Sequence, residues 1–155
     1  MMTMKNKTKL LTVAFIILGA FICSKFFYQV ALVQGESMEP TLHNLQVVLL
    51  NKYDRDFKQG DIIAFKSEKL NLILIKRIIA CPNDKVIISN NKFVVNDNIL
   101  TTNEDIEYYG LLEKEIYLKE KEYIVIGDNY SKSIDSRHDD VGIVNESSII
   151  GRVVE

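Results

Sequence analysis

Hydrophobic and polar residues alternate in short runs after residue 28, and turn-forming glycine, asparagine, proline and aspartate residues separate the runs. A period of two is typical of a strand with one buried face. The pattern predicts extended segments or strands at residues 28–32, 46–50, 62–65, 70–80, 85–88, 93–95, 123–126, 141–144 and 149–154. About eight to ten short strands with little helix predict a mainly β domain, a compact β-barrel or sandwich. The charged stretch 103–122 is expected to be a solvated loop with a short helix or strand.

The longest predicted strand, at residues 70–80, carries an isolated lysine. Its even positions are all apolar except Lys76, whereas Arg77 points to the opposite face. Lysine is rarely buried without a partner or a function. One explanation is an edge position from which the ammonium group reaches solvent. The other is a desolvated lysine with a lowered pKa, which is neutral near pH 7 and can serve as a general base.

The N-terminus combines a positively charged start with an apolar run. Three lysines lie in residues 1–9, an unbroken apolar or small run occupies residues 10–23, and Lys25 is followed by aromatic residues at 26–28. A transmembrane helix needs roughly 20 residues. Residues 10–28 are therefore predicted to form an uncleaved membrane anchor, with Lys25 extending to the interface.

The lysine distribution also predicts a topology. Residues 1–9 are expected in the cytoplasm and residues 29–155 outside it, as the extracytoplasmic β-rich domain of a single-pass cell-membrane protein. Two alternatives are a cleaved secretory signal and a lipoprotein signal ending at Cys23. Bulky Phe21 and Ile22 fit neither cleavage pattern well.

Charge and cysteine content exclude several functional classes. The chain has a formal net charge of −2, and residues 26–155 contain 15 basic and 21 acidic residues. Nucleic-acid binding needs a clustered positive surface, which this balance does not provide. Cys23 and Cys81 suit small apolar positions and have no zinc-site spacing. The acids at 128–140 lack the spacing of a calcium loop, so neither a metal nor another cofactor is predicted.

A candidate nucleophile follows the predicted anchor, in the stretch Gly35-Glu36-Ser37-Met38-Glu39-Pro40-Thr41-Leu42. Gly35 permits close backbone approach, and Pro40 disfavours helix at the residue before it. A serine in a turn is usually an ordinary polar residue, so a nucleophile needs a base from elsewhere in the chain. Lys76 is the candidate base, and the polar loop at 127–137 is dense in groups that can hydrogen-bond to such a pair.

Four motifs in this order resemble the type I signal peptidases, over nearly the whole chain. Gly35-x-Ser37-Met38-x-Pro40-Thr41-Leu42 resembles the nucleophile motif of that family. Gly60-Asp61-Ile62-Ile63 resembles the short motif that follows it. The lysine motif resembles Lys76-Arg77-Ile78-Ile79-Ala80-Cys81-Pro82-Asn83-Asp84, and the last resembles Gly127-Asp128-Asn129 with Ser133, Asp135, Ser136 and Arg137. The chain departs from the pattern at Asn83, where glycine is usual, and at Tyr130, where a basic residue is common. The chain resembles the single-anchor, Gram-positive-like bacterial members of this family.

The resemblance implies a serine endopeptidase with a Ser-Lys dyad. Ser37 would attack the scissile carbonyl, while neutral Lys76 would take its proton and return it to the leaving amine. The Ser37 backbone N–H would hold the oxyanion. Many relatives add a side-chain hydroxyl two residues before the nucleophile, but this chain has Gly35 there.

The resemblance also implies supporting residues around the dyad. Ser133 is expected to hydrogen-bond to Lys76 and orient it. Asp135 and Arg137 are expected to brace the loop, and Arg77 is expected to join them.

The implied substrates are secretory preproteins, whose N-terminal signal peptides are removed after small residues. A preprotein is expected to bind extended beside the strands that lead into the dyad, and lipid is the other expected partner. The shallow apolar pockets for its small side chains are expected to be lined by Val33, Met38, Leu42 and Leu74. Only 42 residues, 85–126, separate the last two motifs, so no large cap insertion is expected.

Three other functions compete with this prediction. A Ser-His-Asp hydrolase would use His43 or His138, although neither lies in a motif. Self-cleaving repressors share a Ser-Lys dyad, but they carry a DNA-binding domain where this chain has an apolar segment. A non-catalytic membrane-anchored binding protein would be indicated by loss of Ser37 or Lys76, and both are present.

Overall fold

Eleven strands form the part of the protein that this computed structural model describes, namely residues 9, 11–17, 19, 26–89, 92–100 and 115–154. The strands are β1 Tyr28–Leu32, β2 Val47–Asn51, β3 Ile62–Ser67, β4 Leu72–Ala80, β5 Lys85–Ser89, β6 Lys92–Val95, β7 Asn98–Leu100, β8 Ile116–Tyr117, β9 Glu122–Ile126, β10 Val144–Asn145 and β11 Ile149–Val153. Short 3-10 turns occupy Tyr130–Lys132 and Glu146–Ser148. The predicted mainly β class is confirmed.

Seven strands form an antiparallel sheet in the order β1-β2-β11-β3-β4-β9-β10. β3 lies near its centre and is buried on both faces. Ile62 and Ala64 pack into one hydrophobic cluster, and Ile63 and Phe65 pack into a second. Two buried faces explain why this strand reads as a continuous apolar run rather than as an alternation.

The four remaining strands form a smaller sheet, in the order β7-β6-β5-β8. These strands lie in the sequence between β4 and β9, which pair directly with each other in the main sheet. A third hydrophobic cluster joins Val86 and Val95 of the small sheet to Ile124 and Ile126 of β9. Residues 101–114 lie outside the described residues, so the expected lack of a large cap insertion stays a prediction.

Of the two predicted architectures, a barrel or a sandwich, the barrel was wrong, and so was one predicted strand. The strands described here form open sheets, with β1 and β10 at the edges of the larger one. The predicted strand at 141–144 is mostly a turn, and β10 begins only at Val144. The amides of Val141 and Gly142 both donate to the carbonyl of His138, at 3.0 and 2.9 Å, and this local bonding replaces a strand ladder.

The predicted anchor at 10–28 falls partly on residues outside the described set, namely 10, 18 and 20–25. Residues 9, 11–17, 19, 26 and 27 are helical. Tyr28, the last residue of the predicted anchor, belongs to β1, where it pairs with Asn51, so β1 occupies the predicted extended segment 28–32. Within the described residues, no helix has the length and apolarity needed to cross a membrane.

Candidate active site

Ser37 and Lys76 meet although they lie 39 residues apart in the sequence. Ser37 is half-buried in a turn that follows β1, and Lys76 projects from β4 opposite Ile63 of β3. The Lys76 Nζ donates a hydrogen bond of 2.7 Å to the Ser37 Oγ. Lys76 is only 3 % exposed, which rules out the alternative of a solvated edge lysine.

Burial lowers the pKa of Lys76 from 10.5 to about 8. The apolar strand face disfavours the charged ammonium, and the nearby Arg137 guanidinium acts in the same direction. The carboxylates of Asp135 and Asp128 oppose this shift without cancelling it. A hydrogen-bonded amine with a pKa near 8 has the properties of a general base for a serine hydroxyl at neutral pH.

The turn that carries Ser37 is fixed by backbone contacts on both sides. Gly35 has a φ of +92°, which favours glycine, and its N–H donates to the Asn44 Oδ1 at 3.0 Å. The Ser37 carbonyl accepts a hydrogen bond of 3.0 Å from the Asn129 N–H. The Ser37 N–H has no acceptor among the described residues, so it is available to a ligand.

Asp135 and Arg137, both in the loop at 127–137, form a buried ion pair with each other. The Arg137 Nε and Nη2 donate to the two Asp135 oxygens at 2.8 and 2.9 Å, and the two side chains are 1 % and 0 % exposed. Asp135 Oδ2 also accepts from the Gly127 N–H at 3.1 Å, and Arg137 donates to the Tyr130 carbonyl at 2.7 Å. The pair therefore supports the loop segment that contacts Ser37.

Ser133 departs from its expected role in one contact. Its hydroxyl is buried and has no hydrogen-bond partner among the described residues, so the predicted bond to Lys76 is not formed in this structure. The reason is packing, since the Ser133 side chain lies against Gly127. A Cβ added at Gly127 would lie less than 3.0 Å from the Ser133 Oγ and from the Ser37 carbonyl oxygen.

Arg77 contacts the same loop through Asp128. Its guanidinium forms a two-point bond with the Asp128 carboxylate, at 2.9 and 2.7 Å. It also donates to the Gly60 carbonyl at 2.7 Å. Arg77 lies on the opposite face of β4 from Lys76, so it reaches the outer side of the same loop. Asp128 is thus a supporting residue that the motif contained but that sequence reasoning did not single out.

A cleft of about 560 Å³ opens between β1 and the first half of β4, with Ser37 and Lys76 among the residues at one end. Val33, Met38 and Leu42 are buried in one hydrophobic cluster beside it. Leu74 also lines the cleft, but it packs against the second cluster, which contains Ile63 and Phe65. Sequence reasoning missed the residues of the cleft floor and its far end. They are Gln29, Ala31, Asn71, Ile73 and Ile75.

The histidines and Cys81 do not contact the Ser37 hydroxyl. His43 is exposed and its Nδ1 lies 2.6 Å from the Glu39 Oε2, while His138 accepts a weak 3.4 Å bond from the Asp135 N–H. The described hydrogen bond of the Ser37 hydroxyl is to Lys76, so the geometry disfavours a Ser-His-Asp triad. Burial raises the pKa of the half-buried Cys81 thiol to about 11, which keeps it protonated.

Comparison with known proteins agrees with this geometry. The family described as "Signal peptidase, peptidase S26" matches residues 6–155. Signal peptidase I P of Bacillus subtilis subsp. natto is 33 % identical over 145 residues, which cover 84 % of this chain and 77 % of that protein. Signal peptidase I U of Bacillus subtilis (strain 168) is 30 % identical over 166 residues, which cover 96 % and 88 %.

A solved structure is similar as well. The crystal structure of a signal peptidase I from Enterococcus faecalis V583 superposes with a TM-score of 0.54 at 25 % identity, and covers 64 % of this chain and 97 % of that one. The family resemblance inferred from the four motifs is thereby confirmed. This chain belongs to the signal peptidase, peptidase S26, family and is a serine endopeptidase.

Proposed function

We propose that this protein removes N-terminal signal peptides from secreted preproteins, with Ser37 as nucleophile and Lys76 as general base. The observation that carries the proposal is the 2.7 Å bond from the buried Lys76 amine to the Ser37 hydroxyl. Family membership supplies the substrate class, and the dyad supplies the chemistry. No metal or other cofactor is required for this reaction.

The neutral Lys76 amine takes the Ser37 proton as Oγ attacks the carbonyl carbon before the cut. The resulting ammonium then protonates the leaving amine, which is the new N-terminus of the mature protein, and an acyl-enzyme remains. Lys76, again neutral, takes a proton from water, and the hydroxide attacks the ester. The signal peptide leaves as a carboxylic acid after Ser37 Oγ regains its proton.

The oxyanion of each tetrahedral intermediate binds the Ser37 N–H. This donor has no acceptor among the described residues and is held in place by the Asn129–Ser37 backbone bond on the same residue. Gly35 contributes no side-chain donor, and its φ of +92° makes a side chain there costly. The developing charge is therefore assigned to the Ser37 N–H in this chain.

The preprotein binds as an extended strand between β1 and β4. Among the described strands, β1 pairs only with β2, and residues 72–76 of β4 pair only with β3, because the β9 pairing begins at Arg77. Two strand edges in the described part of the sheet therefore face one cleft with free backbone groups. A peptide strand there pairs with both edges and carries its scissile bond to Ser37. Val33, Met38 and Leu74 line the cleft where a small side chain binds, and the buried Leu42 packs in the hydrophobic cluster beside it.

The domain lies at the outer surface of the cell membrane, anchored by the segment 10–28 with residues 1–9 in the cytoplasm. The three lysines before this segment support that orientation. The outward face of β1 and β2 supports contact with lipid, because it is an exposed apolar surface directly after the anchor. Its side chains are Tyr28, Val30, Leu32, Val47 and Leu49.

The pH dependence of cleavage tests this assignment. Because only neutral Lys76 is active and its pKa is about 8, kcat/KM is expected to rise about fivefold from pH 7 to pH 8 and to level off above about pH 9. The measurement uses the intact chain in detergent and a preprotein with alanine one and three residues before the cut. A continued tenfold rise per pH unit to pH 10 would indicate an ordinary lysine, and absence of cleavage at every pH would contradict the substrate class.

Gly127→Ala is expected to lower kcat/KM by about 100-fold or more, since a shift of about 1 Å at a reacting group has effects of that size. The added methyl group collides with the Ser37 carbonyl and with Ser133, so the nucleophile must move. Gly151→Ala is the matched control: its methyl group crowds the Asn51 carbonyl on β2 at 2.6 Å, away from the dyad. Equal losses of activity per folded molecule in both variants would refute the positioning role of Gly127.

A further inference from the structure

The side chains that line the cleft differ between its two ends. Ala31 of β1 and Val33, which comes directly after β1, pack into the hydrophobic cluster beside Ser37, and Ile75 of β4 packs against the same cluster. Two residues further from the dyad, β1 presents Gln29, and the β3–β4 turn presents Asn71 beyond Ile73. The side chains that pack into this cluster near the dyad are therefore apolar, and the end of the cleft away from the dyad carries the amides of Gln29 and Asn71.

The spacing of these residues matches that of an extended peptide. Val33 to Gln29 spans four residues of strand, roughly 13 Å at about 3.3 Å per residue. Alternate side chains of a bound strand face the same side, so the residues one, three and five positions before the cut face this floor. The first two meet Val33 and Ala31 with Ile75. The fifth meets Gln29 and Asn71.

Both amides are free to bind. Among the described residues, neither the Gln29 nor the Asn71 side chain has a hydrogen-bond partner, and both side chains are exposed at the cleft mouth. Each amide offers a donor and an acceptor. Two such groups at the end of the cleft away from the dyad can recognise a short polar side chain that itself donates or accepts a hydrogen bond.

On the basis of the proposed function, we propose that Gln29 and Asn71 form a third side-chain subsite, which selects a hydrogen-bonding residue at the fifth position before the cut. Gln29 directly follows Tyr28, the end of the proposed anchor, so this end of the cleft lies toward the membrane. The apolar core of a signal peptide lies on that side of its cleavage site. The amide subsite thus contacts the fifth residue before the cut, which lies next to the apolar core of the signal peptide.

The test compares peptides that share all residues except the fifth before the cut, which is asparagine or leucine. The intact protein in detergent is expected to cleave the asparagine peptide with about three- to tenfold higher kcat/KM, the effect of about one net hydrogen bond. Gln29→Leu combined with Asn71→Gly is expected to abolish or reverse this ratio. Glycine is chosen because Asn71 has a φ of +52°, which alanine tolerates poorly.

Two controls separate this proposal from the function on which it rests. Gln59→Leu removes an exposed glutamine outside the cleft and is expected to keep the asparagine preference. All variants are expected to keep the preference for alanine over leucine at the third position before the cut. Equal cleavage of both peptides by the unaltered protein, or an unchanged ratio in the double variant, overturns the amide subsite. Failure to cleave any peptide overturns the proposed function instead.

Discussion

Lys76→Met is expected to abolish preprotein cleavage while the protein stays folded, with kcat/KM falling at least about 10³-fold because base and nucleophile act as a unit. Methionine fills a similar volume on the apolar face of β4 but cannot accept the Ser37 proton. Ser37→Ala is expected to give a loss of the same size, and the double variant to be no worse than either single variant. The assay is cleavage of a preprotein in detergent.

The same variant separates a catalytic lysine from a structural one. Below pH 8 Lys76 is protonated in the folded and unfolded states, so the cost of burying its charge is fully present. Between pH 8 and 10.5 the folded protein releases the proton while the unfolded chain keeps it, so stability rises with pH in this window. Lys76→Met lacks this rise, and at pH 7 it is expected to gain up to roughly 3 kcal/mol in unfolding free energy.

Unfolding in urea at pH 7 and at pH 10.5 measures this difference, and the preprotein assay at pH 7 measures activity. An inactive variant with higher stability at pH 7 fits a lysine retained for chemistry. Cleavage by Lys76→Met within tenfold of the unaltered protein would refute the dyad. A variant that is inactive because it is unfolded would show a lower, not a higher, midpoint in urea.

Asp135→Ala is expected to reduce the free energy of unfolding by about 3–5 kcal/mol, since it leaves the buried Arg137 guanidinium without its carboxylate. The 0 % and 1 % exposure of the two side chains makes this pair different from the surface pairs of the chain. Activity is expected to fall as well, because the Gly127 N–H loses its acceptor and the loop that contacts Ser37 loosens. Urea unfolding followed by circular dichroism gives the stability.

Asp56→Ala is the matched control for this prediction. Asp56 pairs with Lys58 at 3.2 Å, but both side chains are about three-quarters exposed, so its removal is expected to cost no more than about 1 kcal/mol. The double variant Asp135→Leu with Arg137→Met is expected to recover part of the lost stability, since an apolar pair leaves no unpaired charge. Equal losses for Asp135→Ala and Asp56→Ala would show that the buried pair does not support the loop.

Sequence reasoning succeeded where a feature depends on residues close together in the chain. The alternation in residues 70–80 isolated Lys76 on an apolar face, and β4 has that register. The turn around Ser37 and the strand before it were both visible as local patterns. The segment 141–144 failed for the same local reason: its apolar residues suggested a strand, but backbone bonds to the His138 carbonyl made a turn.

Partner choice required the tertiary structure. The sequence placed Arg77 on the face opposite Lys76, but strand pairing and loop packing decided that Asp128 is its carboxylate partner in the loop. Close packing of Ser133 against Gly127 decided that its hydroxyl is unpaired among the described residues. Neither contact can be predicted from the spacing of residues along the sequence, because both depend on how the loop at 127–137 packs against the sheet.

The sequence by itself determined the candidate nucleophile, the candidate base and the mainly β class, because side-chain periodicity and motif order are properties of the chain. The tertiary structure alone brought Ser37 and Lys76 within 2.7 Å. It also left the edges of β1 and β4 unpaired beside one cleft, with Gln29 and Asn71 at its far end. Strand order and register arise from long-range packing of three hydrophobic clusters, and local patterns do not specify which strands become neighbours.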